Sequence, residues 1–75
     1  MKQKIDIYNN IPTVAGSETV ITDAIADGTT ELHVKRPAFK AIVAWGIVNR
    51  VYTWGERPDK TRWDKVCGIE IIIKG

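Results

Sequence analysis

The sequence predicts a small all-β domain, a mainly antiparallel sandwich or barrel-like sheet of five or six strands. Residues 38–55 are dense in β-branched and aromatic side chains, which favour strands. The pair Asp27-Gly28 is typical of a hairpin turn, and residues 66–74 are mostly apolar. With 75 residues in all, the chain 1–75 is expected to form a single domain.

Composition limits how such a chain can be stabilised. Its apolar content of 44% is too high for a disordered protein. Cys67 is the only cysteine and His33 the only histidine, so the sequence predicts neither an internal disulfide nor a structural metal. A chain of this length buries only about 60% of its unfolded surface. Oligomerisation or a very regular sheet is therefore the expected source of added stability.

The charge is weakly basic and unevenly distributed. Residues 1–37 contain four Lys/Arg and five Asp/Glu, whereas residues 38–75 contain seven and four. This asymmetry suits head-to-tail contact between copies, and it also suits an ordinary solvated surface. The N-terminal residues lack the apolar core of a signal peptide, so cytosolic synthesis is expected. Only about nine residues separate Lys40 from the polar pair Asn49-Arg50, fewer than the roughly 20 that a membrane span needs.

The first half of the chain predicts a strand and then a hairpin. Residues 2–8 alternate in polarity, as a half-buried strand does, and residues 13–17 predict a turn. Residues 18–36 predict a type I′ hairpin that turns at Asp27-Gly28. The alternative is an α+β fold with a helix at 17–27, which Ser17 would cap and Gly28 would end.

The run 38–55 predicts two strands, or one strongly bent strand, broken at Gly46. Pro37, which cannot donate to a ladder, is expected to end the preceding strand. A helix is the competing interpretation, because the apolar positions Phe39, Ile42, Val43, Gly46 and Ile47 follow a helical period. Such a helix would be apolar nearly all round, which favours the strands.

The last part of the chain predicts a loop and a strand. Residues 56–65 lack an apolar period and contain Pro58-Asp59, so a loop of about ten residues is expected. Residues 66–74 predict a strand with both faces covered, because the apolar residues are too dense for strict alternation.

Residues 15–36, AGSETVITDAIADGTTELHVKR, resemble a pattern in small β-sandwich structural proteins of tailed phages. There, a Gly-Ser turn opens a Thr/Val/Ile strand, and an Asp-Gly turn leads into a strand of the type L-x-V-x-R. The resemblance implies a virion or assembly component that works as an oligomer. It assigns no binding residue.

The sequence contains no recognisable catalytic constellation, cofactor motif or metal site, so we expect neither an enzyme nor a small-molecule substrate. His33 falls on the polar face of the predicted hairpin and is expected to be exposed. Cys67 is expected to be a buried small hydrophobe rather than a reactive thiol. Asp59 and Asp64 are expected to be solvated loop carboxylates.

The residues from Trp54 to Lys65 are the strongest candidates for binding a partner. Aromatic and basic side chains alternate there, as they do where single-stranded nucleic acid is stacked. Trp and Arg are also enriched at protein hot spots, whereas a third interpretation has both tryptophans close one end of the core. The predicted partner-binding residues are Trp54, Arg57, Lys60, Arg62, Trp63 and Lys65.

The leading functional prediction is a non-enzymatic interaction module, a phage-type structural or assembly protein that self-associates. One alternative is a small nucleic-acid-binding β-barrel that uses the loop 54–65, although Glu56, Asp59 and Asp64 leave that loop with little positive surplus. The other alternative is a compact protein inhibitor.

Overall fold

The computed structural model describes residues 4–7 and 13–74, with side chains for residues 13–74. The fold is α+β. In chain order its elements are β1 (Lys4–Ile7), α1 (Ser17–Ala26), β2 (Glu31–Val34), α2 (Arg36–Val48), β3 (Tyr52–Glu56), β4 (Arg62–Val66) and β5 (Ile69–Ile73). The predicted all-β sandwich or barrel is therefore wrong. The α+β alternative with a helix at 17–27 agrees in part, because it includes α1 but not α2.

The described strands form one open mixed sheet in the order β1-β2-β5-β4-β3. β1, β2 and β5 run parallel, while β4 runs antiparallel to both β5 and β3. This places β1 at one edge and β3 at the other. The strand predicted at 2–8 is confirmed over Lys4–Ile7, and its remaining residues lie outside the described part of the chain.

Both helices pack on the same face of the sheet. Ile21 of α1 and Ile42 of α2 share one buried cluster with strand residues such as Leu32 and Val66. These strand residues all point to one side, as alternate positions of a strand must. No element within the described ranges 4–7 and 13–74 covers the opposite face, on which Glu70 and Ile72 of β5 are half-buried. Coverage of the last strand on both faces stays a prediction.

Helix α1 replaces the predicted hairpin strand. Parallel strands such as β1 and β2 need a crossover connection, which α1 supplies while it buries Ile21 and Ala24. Gly28, with φ of 71°, follows the C-cap and ends the helix, as the alternative predicted. Ser17 is not the cap: it begins the helix fully buried, and its hydroxyl donates to the carbonyl oxygen of Thr13 at 2.9 Å.

Helix α2 occupies most of the run that predicted strands. Pro37 lies in its first turn, where a missing N–H costs little, rather than at a strand end. Ala38, Ile42 and Gly46 recur every four residues and form the buried stripe. A Cβ atom at Gly46 would lie 2.8 Å from Cγ2 of Val66, so this glycine permits close helix–sheet approach instead of breaking a strand.

Residues 56–65, predicted to be one loop, instead form the end of β3, a hairpin turn and most of β4. Residues 57–61 connect β3 to β4, and Lys60 adopts φ of 69°. The Thr61 N–H and hydroxyl both donate to Oδ1 of Asp59, at 3.0 and 2.6 Å. These hydrogen bonds lower the pKa of the Asp59 carboxyl below its ordinary value.

A second hairpin interrupts the predicted strand at 66–74. Cys67 and Gly68 have φ of 53° and 79°, the two positive values that a two-residue type I′ turn requires. Val66 therefore ends β4, and Ile69 begins β5. Cys67 lies in this turn and is half-buried against the core, so the prediction of a buried small hydrophobe is confirmed in part.

Candidate partner-binding site

The β3–β4 hairpin carries the predicted site residues, but it divides them between two faces. Tyr52 pairs with Val66 and Trp54 with Asp64, so Trp54 points to the side on which the helices lie. Gly55 pairs with Trp63, so Trp63 points to the opposite side. The two tryptophans therefore cannot form one stacking platform.

On the helix side, four residues form a connected group that we name the hairpin cluster: Tyr52, Trp54, Arg62 and Asp64. The Tyr52 hydroxyl donates to Oδ1 of Asp64 at 2.5 Å. Nη2 of Arg62 donates to the Tyr52 oxygen at 2.9 Å and to Oδ1 of Asp64 at 3.1 Å. The same guanidinium lies 4.7 Å from the centre of the Trp54 ring, within cation–π range.

Protonation in the hairpin cluster follows from these contacts. Burial raises the pKa of the Tyr52 hydroxyl above its ordinary value of 10.0, and the hydrogen bond to Asp64 adds to this shift. Hydrogen bonds to Tyr52 and then to Asp64 raise the pKa of Arg62 further above its already high ordinary value. Tyr52 therefore stays neutral and Arg62 charged at physiological pH, which keeps the hydrogen bonds and the cation–π contact formed.

Asp64 and Tyr52 are site residues that the sequence did not reveal. Asp64 was expected to be a solvated loop carboxylate, but its side chain is only 13% exposed and serves as the shared acceptor of the hairpin cluster. The sequence did contain a signal for these residues. Side chains that alternate between two faces in Tyr-Thr-Trp and Arg-Trp-Asp, on either side of a Pro-Asp-Lys turn, are typical of a β-hairpin.

On the opposite face, the Trp63 ring packs closely against Gly55. A Cβ atom at Gly55 would lie 2.7 Å from Cε2 of the Trp63 ring, so no larger residue fits beneath the indole. Nζ of Lys65 lies 5.0 Å from the centre of that ring. This second aromatic–cation pair is separated from the hairpin cluster by the thickness of the sheet.

The other two predicted site residues lie toward the turn. Nη2 of Arg57 donates to Oε2 of Glu70 at 2.7 Å, an ion pair that joins the turn to β5 on the face away from the helices. Lys60 is exposed in the turn itself. The site predicted as one surface thus comprises the Trp54–Arg62 pair, the Trp63–Lys65 pair, and Arg57 and Lys60 near the turn.

His33 lies on the face away from the helices, but it is not exposed as predicted. Its side chain is 12% exposed, and Nε2 lies 3.0 Å from Oε1 of Glu31. The neighbouring strands β1 and β5 flank β2 and reduce the exposure of this central position.

A cavity of about 290 Å³ opens where β4 and β5 separate. The ladder between these strands covers only the pairs Lys65–Glu70 and Val66–Ile69, and the strands diverge beyond them. The four charged residues in the lining form two ion pairs, Arg57 with Glu70 and Arg62 with Asp64. The lining therefore offers balanced charge around an apolar floor that includes Phe39 and Ile71.

The chain matches no protein-family model, no curated protein sequence and no solved structure. Within the described part of the chain, no three His, Cys, Asp or Glu side chains come together in a way that could hold a metal ion. Neither of the two helices described has the length and apolar character needed to cross a lipid bilayer.

Proposed function

We propose that this chain is a non-enzymatic interaction module that self-associates, and that the β3–β4 hairpin is its contact surface. The observation that carries the proposal is the position of β3. It is an outer strand of the sheet, and it presents Trp54, whose residue surface is 58% exposed. An exposed tryptophan beside an unpaired strand edge is a feature of protein–protein contact sites.

The hairpin cluster supports this proposal because it holds Trp54 in a defined orientation. Arg62 covers part of the indole and is itself held by Asp64 and Tyr52. A side chain that is already ordered loses less conformational entropy on binding. Trp54 is thus suited to act as an anchor residue for a protein partner.

The nucleic-acid alternative has less support. Its barrel is replaced by an open sheet with two edges, and the two tryptophans lie on opposite faces. A basic side chain of the same chain also lies over each ring: Arg62 is 4.7 Å from the centre of the Trp54 ring, and Lys65 is 5.0 Å from the centre of the Trp63 ring. A base that stacked on either of these ring faces would have to displace that cation.

The phage-type role and the virion location stay predictions. The segment that carries the resemblance, residues 15–36, folds mainly as helix α1 followed by β2, rather than as two paired strands. The compact-inhibitor alternative uses the same hairpin surface with a foreign protein as its partner.

Light scattering behind a sizing column tests the proposal, with the wild type run from low to high micromolar concentration at low and physiological salt. We expect a mass above that of the 8.4 kDa monomer. Trp54→Ser should return the mass toward the monomer. Ile25→Ser is the matched control, because Ile25 on α1 is 55% exposed and lies outside the hairpin; its mass should match the wild type.

A monomer at every concentration and salt would overturn self-association. A loss of assembly in both variants would overturn the assignment to the hairpin. Quenching of tryptophan fluorescence by an oligonucleotide, weakening as salt rises, would favour the nucleic-acid alternative instead.

A further inference from the structure

The outer edge of β3 has backbone groups that lack a strand partner in the described sheet. At the two ends of the β3–β4 ladder, the N–H of Arg57 donates to Thr61 and the N–H of Cys67 donates to Val51. Antiparallel pairs alternate between hydrogen-bonded and non-hydrogen-bonded positions. Residues 53 and 55 therefore direct their N–H and C=O groups toward β4, whereas residues 52, 54 and 56 direct theirs outward.

This edge has few of the devices that usually prevent strands from pairing, and Glu56 is its one charged residue. Its sequence, YTWGE, contains neither lysine nor proline, and five consecutive residue pairs without a bulge keep it regular. The other edge strand, β1, is one residue shorter and carries Lys4 and Asp6 in the sequence KIDI. β3 is therefore the better template for an added strand.

We infer that β3 pairs with β3 of a second copy, antiparallel and centred on Trp54, so that one continuous sheet runs through both molecules. This inference rests on the self-association proposed above and names its contact. A two-fold axis through Trp54 uses all five residues of β3 in each copy, whereas centres at residue 53 or 55 leave part of the strand unpaired.

The pairing centred on Trp54 is also complementary in chemistry. Trp54 lies opposite the partner's Trp54, and aromatic pairs across strands are favourable. Glu56 lies opposite the partner's Tyr52, whose hydroxyl accepts from a charged arginine. The two Glu56 carboxylates are kept apart, since four residues of strand separate them, or about 13 Å at the rise of a β-strand.

The end of α2 supplies apolar surface next to this edge. Ile47 is 57% exposed and Val48 is 74% exposed, and only residues 49–51 separate them from β3. Stable interfaces bury about 800 Å² on each partner, more than the edge of a five-residue strand provides. In a sheet that continues through both copies the helices lie on the same side, so the ends of both α2 helices add to the buried area.

Amide hydrogen exchange measured by NMR on the full chain tests the pairing residue by residue. The outward amides, residues 52, 54 and 56, should exchange about tenfold more slowly once nine-tenths of the chains are paired. The amides of Thr53 and Gly55 are bonded to β4 in the monomer, so they should be slow at every concentration. In a mixture of labelled and unlabelled chains, the Hα of Thr53 should show a nuclear Overhauser effect to the Hα of the partner's Gly55.

Two substitutions of one residue give a matched pair of variants. Glu56→Pro removes an outward N–H without removing a bond to β4, because proline is tolerated where an edge strand faces solvent. Glu56→Ala keeps the N–H. The proline variant should be monomeric while the alanine variant still assembles, and the cross-strand contact between Thr53 and Lys65 should persist in both.

The failures of the two proposals are distinguishable. If the wild type assembles but its outward amides exchange equally fast at all concentrations, the strand pairing is wrong and self-association stands. Assembly of the proline variant would also show that the strand pairing is wrong, and it would favour a head-to-tail contact. If light scattering shows only monomers, the proposed function fails and the pairing fails with it.

Discussion

The part of the molecule formed by the parallel strands β1, β2 and β5 with the two helices, which we call the parallel half, is stabilised in a different way from the β3–β4 hairpin. In the parallel half, Leu32 and Val34 of β2 are fully buried beneath helices whose own inward residues, such as Ile42, are equally buried. In the hairpin only Val66 is fully buried; the other side chains of β3 and β4 are half-buried or exposed, and several are held by hydrogen bonds and cation–π contacts, as in the hairpin cluster. Stability therefore resides mainly in the first region, and surface chemistry in the second.

This division suits a small protein. A chain of this length is expected to be stable by only about 4–11 kcal/mol. Surface ion pairs contribute little each, about 0–1 kcal/mol, so most of that stability has to come from buried apolar side chains. The hairpin can then present aromatic and charged groups while contributing less to stability than the buried cluster does.

The largest expected effect comes from the core of the parallel half. Ile42→Ala should lower the free energy of unfolding by about 2–5 kcal/mol, because it leaves a cavity between α2 and the sheet. Ile25→Ala on α1 is the matched control. Ile25 is 55% exposed and lies outside the proposed contact surface, so the change should be within about 0.5 kcal/mol. Urea denaturation monitored by circular dichroism measures the free energy of unfolding of both variants. Equal losses would contradict the view that stability resides mainly in the buried core.

A smaller effect is expected where the hairpin has its closest packing. Gly55→Ala places a methyl group against the Trp63 ring, so the free energy of unfolding should fall by about 1–3 kcal/mol. The Trp63 indole N–H resonance should also shift. Thr53→Ala, an exposed position in the same strand, is the control and should leave the Trp63 resonance in place. An unmoved indole in Gly55→Ala would show that the ring does not pack as described.

The smallest effect concerns the Tyr52 hydroxyl. Tyr52→Phe should cost about 1 kcal/mol near neutral pH, because it removes the hydrogen bonds to Asp64 and Arg62. The pKa of Tyr52 is raised on folding, so the protonated phenol stabilises the fold fully below its unfolded value, 10.0, and this contribution is lost as pH rises through the folded pKa.

The stability difference between wild type and Tyr52→Phe should therefore be constant from pH 6 to pH 9, within the range where the phenol is protonated in both states (about one unit below its unfolded pKa). Above the ordinary value of 10.0 it should shrink. Denaturation curves at a series of pH values measure this. A difference that grows in alkali would mean that the fold favours the ionised phenol.

The sequence predicted strands where β1 and β2 lie, and the alternating burial of β2 agrees with its alternating polarity. Residues 18–26 were ambiguous: Thr, Val and Ile favour a strand, while the spacing of Ile21 and Ala24 suits a helix. The deciding factor was the parallel pairing of β1 with β2, which needs a crossover. That requirement is not visible in residues 18–26 themselves.

The candidate site was predicted in position but not in geometry. All six chosen residues lie in or beside the β3–β4 hairpin. Their division between the two faces of the sheet follows from the alternation of side chains along paired strands. Residues 56–65 were predicted to be a loop, for which no strand pairing, and so no face, could be assigned. Tyr52, Asp64 and Glu70 were missed for the same reason, since each contributes through a partner on another strand or in the turn.

The sequence by itself determined that the chain can bury only a small hydrophobic core and that it has no internal disulfide. It also determined that a secondary-structure element ends at Gly28. The sequence also shows that aromatic and basic residues cluster near residue 60. Only the tertiary structure decided that 36–48 is a helix. Intrinsic strand preferences span about 1 kcal/mol per residue, whereas burial of a large apolar side chain such as Ile42 contributes about 1.5–3 kcal/mol. Packing against the sheet therefore outweighed local preference.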